Sequence, residues 1–226
     1  MKKLENEDKT KIKKFTIPKN TYLKENTQAF YNTKYTTQGE EGNPDYINDL
    51  KNTYGKPDAS DNKDWAIKAQ KKLDNAVKDL ELVVKTDLPK ILNELKIKEL
   101  VVCVVPRSKA ESSYNENQLL FKSTIKSVVS ELDNFQDSSS YITRTTDTKT
   151  THLPEGTPNY NNNGKMPYVG ITTETCTISD EVKDKNILLV DDVYTGGANI
   201  DEDAIQALLD KDAKSVTFYA VGACGI

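Results

Sequence analysis

The chain has 226 residues, of which 36% are hydrophobic, with a mean hydropathy of −0.67 and 31 basic against 35 acidic residues, a net charge of −4. That length and lean composition allow one core, in one moderate domain or a domain with an extension. They exclude a basic nucleic-acid-binding stripe and any apolar run near the roughly 18 residues of a membrane span.

The N-terminal MKKLENEDKTKIKKF is charged and lacks the apolar segment of a signal peptide, so a cytoplasmic location is expected. Residues 1–63 are polar, carry the turn signals GNPD (42–45) and GKPDASD (55–61), and scatter Phe15, Tyr22, Phe30, Tyr31, Tyr35, Tyr46 and Tyr54 among Lys, Asn and Thr. That is more aromatic than a disordered tail, and the segment reads as an irregular extension packed on a second unit, 64–226. From Asp64, apolar residues at 65, 69, 73, 76, 77, 80 and 84 predict a helix, with Asp61 or Asp64 as its cap. A second short helix, LPKILNELKI, is expected with Pro89 near its start.

Val101–Val105, ended by Pro106, predicts a strand buried on both faces. Leu120, Ile125, Val128, Val129 and Leu132 share one helical face, and Tyr141–Thr143 predicts a short strand. Residues 144–165 hold Pro154, Gly156, Pro158, three consecutive Asn and Gly164, a loop too long to be a plain connection. Strands are expected at Tyr168–Ile171, Ile187–Val190 and Val216–Val221, and a helix at Ala204–Leu209. Strands alternating with helices predict an α/β fold around a parallel sheet.

Cys103, Cys176 and Cys224 are odd in number and far apart, and His152 is the lone histidine, which excludes a Cys/His zinc site and a disulfide framework. Only two of the 31 basic residues are arginines, Arg107 and Arg144. Arginine offers a rigid fork for phosphate that lysine lacks, so their positions carry information.

Ligands of open α/β sheets bind beyond the carboxyl ends of strands. Two loops there stand out: Pro106-Arg107-Ser108-Lys109, and Thr195-Gly196-Gly197-Ala198-Asn199. The second has the composition of a phosphate cradle, with glycines that let amides approach an anion and a helix N-terminus beyond. It is not a Walker loop, since no GK[ST] follows. Asp191 and Asp192 just upstream would repel a phosphate set on them. They fit sugar hydroxyls, or help with Mg²⁺, a short distance away. A phosphorylated ribose combines these features.

The segment VDDVYTGGAN resembles the phosphoribosyl-diphosphate (PRPP) signature of type I phosphoribosyltransferases, and is most similar to the competence-associated ComF-like branch. The following DEDAIQALLDKDAKSVTFYAVG and the upstream VVPRSKAESSYNENQLL also resemble that branch, so the likeness spans roughly residues 95–222. It implies a three-layer α/β fold and transfer of phosphoribosyl from PRPP to a small-molecule acceptor, with Mg²⁺, in a protein that is often a homodimer. It also implies roles. Asp191 and Asp192 would hold the ribose, directly or through Mg²⁺. Thr195, Gly196, Gly197, Ala198 and Asn199 would bind the 5′-phosphate. Arg107, Ser108 and Lys109 would bind pyrophosphate, and Arg144 and Lys149, on a flexible loop, would close over it. Gly196 and Asn199 stand where the family has Thr or Ser, and the branch's zinc ribbon is missing. With few residues after Val221, the acceptor-recognising hood is expected from residues 1–63. The alternative function is a PRPP- or nucleotide-binding regulatory or accessory protein without transfer. His152 has no support for a catalytic role.

Overall fold

The computed structural model describes residues 11–36, 38–51, 63–150, 162, 164, 166 and 170–226. Its eight strands are β1 (Lys13–Ile17), β2 (Thr27–Lys34), β3 (Leu100–Val104), β4 (Phe135–Asp137), β5 (Ile142–Arg144), β6 (Cys176–Ile178), β7 (Asn186–Thr195) and β8 (Ser215–Cys224). Four α-helices accompany them: α1 (Tyr46–Lys51), α2 (Lys63–Leu95), α3 (Leu120–Ser130) and α4 (Ile200–Leu209).

Six strands form one sheet in the order β1-β2-β8-β7-β3-β4, parallel throughout except for the β1–β2 pair. The fold is thus mixed α/β with a mostly parallel central sheet. The valine- and leucine-rich runs that predicted β3, β7 and β8 are buried on both faces, as a central parallel sheet requires. On one face Ala204, Ile205 and Leu208 of α4 pack with Ile187, Leu189 and Phe218. On the other, α1, α2 and α3 cover Leu188, Val190 and Tyr219.

Residues 13–34 are not an irregular extension. They form the β1–β2 hairpin, and β2 pairs in parallel with β8, Ala29 opposite Phe218 and Lys34 opposite Ala223. The expected division at residue 63 marks no break in the sheet. The mixed polar and aromatic sequence TQAFYNTK concealed a strand whose buried Phe30 and Ala29 point to opposite layers.

The two expected helices after Asp64 are one. α2 runs through Pro89, because Ala76, Leu80, Val84, Leu88 and Ile91 make a continuous buried stripe against the sheet. That packing outweighs the backbone hydrogen bond that proline removes. Asp87, buried on the same stripe, accepts hydrogen bonds from Tyr219 Oη (2.9 Å) and Asn32 Nδ2 (2.8 Å), which ties α2 to β8 and β2. The Tyr141–Thr143 expectation appears as β5, which pairs antiparallel with β6. Of the strand expected at Tyr168–Ile171, only Gly170 and Ile171 are described, and they are not in a strand.

Candidate functional site

In the parallel part of the sheet, the chain moves outward from β3 to β4 and, in the other direction, from β7 to β8. The helices that make these crossings, α3 and α4, lie on opposite faces. The loops after β3 and β7 therefore diverge at a topological switch point, where open α/β sheets hold ligands. Both segments singled out in the sequence leave the sheet there.

β7 does not end at Val190. Pairing with β8 continues from Asp191 opposite Ala220 to Thr195 opposite Cys224, so both aspartates are inside the strand. Two adjacent carboxylates read as a strand end, but alongside β8 the strand continues five residues past Val190, to Thr195. Successive strand residues face opposite sides. Asp192 meets Lys51 of α1, Oδ1 to Nζ 3.2 Å, with both side chains about a fifth exposed (22% and 23%). Asp191 instead lies beside Asp201 in the first turn of α4. Burial, then the neighbouring Asp192 charge, pushes Asp191 up to about 7. Burial pushes Asp201 well above the carboxylate range.

Thr195 is the exposed last residue of β7, and the glycine turn leads directly into α4. Gly197 has φ +85°, a left-handed conformation that favours glycine, and a Cβ there would meet nothing within 4 Å. Asn199, at φ 58°, caps the helix without a side-chain bond to it. Its side chain donates instead to Gly197 O (3.0 Å) and accepts from Asn20 Nδ2 (3.0 Å), so the amide expected to meet a phosphate is turned to the protein. Ala198 N–H closes the turn on Thr195 O (3.0 Å). Behind it Asp201, Glu202 and Asp203 fill the first helical turn, all buried. The helix dipole favours carboxylates at that end, though they compete with an anion for it.

The Arg107–Lys109 loop is held against residues 148–150. Ser108 O accepts from Thr148 N (2.7 Å) and Oγ1 (3.0 Å), Lys109 Nζ donates to Thr148 O (3.0 Å), and Ser108 Oγ meets Thr150 Oγ1 at 2.6 Å. Lys149 stands within this seam. Arg107 stacks over the Tyr114 ring at 4.7 Å. Its guanidinium donates to Gln118 O (2.8 Å) and Lys51 O (2.9 Å), so Lys51 touches both Asp192 and Arg107.

Arg144 is not on a flexible loop. It belongs to β5, is 3% exposed, and donates through Nε to Arg107 O (2.6 Å) and through Nη1 to Gly170 O (3.0 Å). Gly170 and Ile171 in turn donate their amides to Asp203 Oδ2 (2.6 and 2.9 Å). This network links the arginine, the 170–171 segment and α4. A three-residue strand with alternating burial placed Arg144 inward, which no sequence pattern announced.

Sequence reasoning missed Lys51, one lysine among 29 in a segment read as irregular, and the buried acids of α4. It also missed a cavity of about 410 Å³ beside the glycine turn, between β1 and α4. Phe15, Pro18, Tyr194, Gly196 and Glu202 are among its walls. Residues of the N-terminal segment thus cover one side of the turn. Cys103 and Cys176 are buried free thiols, the former pushed to about 12 by burial, and Cys224 is half-buried. His152 lies outside the described residues.

Among the described residues no group of three or more His, Cys, Asp or Glu side chains could hold a metal ion. Asp192 already has an ammonium partner. The donor set does not make a resident metal centre. It leaves one or two carboxylates, the number that Mg²⁺ takes from a protein when substrate phosphates supply the rest. Among the described residues no helix is long and apolar enough to cross a membrane. Comparison with known family models and with curated proteins gives no match.

Proposed function

We propose that the chain is a phosphoribosyltransferase-like protein that binds PRPP, with Mg²⁺ carried by the substrate's diphosphate, and transfers phosphoribosyl to a small-molecule acceptor. One observation supports this reading: the Asp191–Asp192 pair and the Gly196–Gly197 turn lie at the carboxyl end of β7, the Arg107–Lys109 loop follows the neighbouring β3, and Lys51 links Asp192 to Arg107. Asp192, steadied by Lys51, accepts from ribose hydroxyls. The open backbone at Gly197 takes the 5′-phosphate. Lys109 and Lys149 would lie on the side of the leaving diphosphate, whose charge Mg²⁺ carried by the substrate would partly neutralise. In the reaction the bond from C1 to the diphosphate oxygen breaks, its electron pair leaves with pyrophosphate, and the acceptor's lone pair forms the new bond to C1.

A second reading, PRPP or nucleotide binding without transfer, is favoured by the arginines. Both guanidinium groups are occupied by backbone carbonyls, which leaves less charge free to stabilise a departing pyrophosphate. The two readings separate in one experiment, incubation with PRPP and Mg²⁺ across a panel of bases, amines and nucleosides while pyrophosphate is followed. Release by the wild type but not by Asp191→Asn/Asp192→Asn establishes transfer. Saturable PRPP binding with no release assigns the second reading. Absence of saturable binding sinks both.

A further inference from the structure

The cavity between β1 and the glycine turn has the dimensions of a small-molecule site, about 410 Å³, and walls that are not suited to an anion. Phe15 and Tyr194 stand with ring centroids 5.0 Å apart, tilted by 50°, and Pro18 and Ile226 add apolar surface. No Lys, Arg or His is among its lining residues. The one charged side chain among the lining residues is Glu202, 2% exposed. Its Oε1 accepts from Tyr194 Oη at 3.2 Å, while its Oε2 has no hydrogen-bond partner. A buried carboxylate oxygen without a donor is rare in folded proteins and calls for an explanation.

We propose that this cavity is a binding site for a small organic cation, an ammonium or amidinium carried on an apolar or planar body. The N–H groups would satisfy Glu202, and the body would lie against Phe15 and Tyr194, whose ring faces attract positive charge. A phosphate in the same space would face an unscreened carboxylate, so the site is distinct in chemistry from the anion-facing backbone of the turn that forms its wall. The inference stands on the cavity and does not depend on the phosphoribosyl reading.

Burial also raises the Glu202 pKa above the ordinary carboxylate value. A cation favours the ionised form. Affinity therefore strengthens as pH rises through the raised pKa.

The test uses the full chain and benzamidinium chloride, with benzamide as its neutral isostere. Calorimetry is expected to give saturable binding of benzamidinium, at least about tenfold tighter than benzamide. Glu202→Gln keeps an acceptor for Tyr194 and removes the charge, and should weaken benzamidinium at least about tenfold while leaving benzamide unchanged. Phe15→Leu should weaken both. No saturable binding, or equal binding of the two probes by the wild type, overturns the proposal without recourse to any variant. Benzamidinium affinity unchanged in a folded Glu202→Gln protein overturns it as well.

Discussion

Lys51 and Asp192 offer the most direct probe of how the site is held. The ammonium and carboxylate are 3.2 Å apart, and each side chain is about four-fifths buried. At that separation an effective dielectric of about 20 gives a gross attraction of about 5 kcal/mol. Desolvation of two ions and the ordering of a lysine side chain offset most of it, leaving a net coupling of about 1–2 kcal/mol. The single variants should not be equivalent. Lys51→Met leaves Asp192 unpaired beside Asp191 and should cost about 2–3 kcal/mol, because it adds like-charge repulsion to the lost pair. Asp192→Asn removes that repulsion along with the bridge and should cost less. Urea unfolding of the wild type, both single variants and the double variant closes the cycle and isolates the pairwise term. If the coupling is below about 0.3 kcal/mol, or if Asp192→Asn is the more damaging of the two, the ammonium is not what holds this carboxylate and the electrostatic reasoning is wrong.

The buried carboxyl pair makes a pH prediction of definite sign. Asp191, pushed up to about 7, and Asp201, raised well above its ordinary value, keep protons in the folded chain that the unfolded chain releases near pH 4, so stability falls as pH rises from there through Asp191's folded value. Thermal melts should show a higher Tm at about pH 5 than at about pH 8, and Asp201→Asn should flatten that slope; an opposite slope would contradict carboxyls kept protonated by desolvation. Arg144→Lys reaches only one of the two carbonyls now served and should lower stability by about 2–4 kcal/mol in denaturant titrations, whereas a loss under about 0.5 kcal/mol would mean that water replaces the guanidinium without penalty.

The parts of the fold legible in the sequence are those that its own chemistry dictates. Val101–Val105, Ile187–Val190 and Val216–Val221 can be buried on both faces only as central strands, and they are. The helical spacing of α2 was plain, but its continuity through Pro89 was not, since a proline inside a helix survives only through packing that lies elsewhere in the chain. β2 was concealed for a related reason: its propensity is ordinary, and its partner β8 is distant in sequence. At the site, the glycine turn and the two loops were found where strand–loop–helix composition put them. What the side chains do there was not legible. Arg144 and Asn199 were read as donors to a ligand because their residue types allow it, yet each is committed to protein carbonyls. Lys51 could be found only by its contacts.

The place of β8 between β2 and β7 has a consequence for how the molecule is assembled. The β1–β2 hairpin is local in sequence but joins the sheet only along β8, where Ala29 meets Phe218 and Lys34 meets Ala223. Until residues 215–224 have left the ribosome, β2 has an open edge and β7 lacks a neighbour on one side. Local contacts in α2 and α3 can form sooner, but closing the sheet must draw together segments nearly the whole described chain apart. The loop-closure entropy of such pairing places folding in the slow, millisecond-to-second regime of non-local topologies. The exposed Phe30 and Tyr31 edge in the interval is the segment that a nascent-chain chaperone would have most reason to cover.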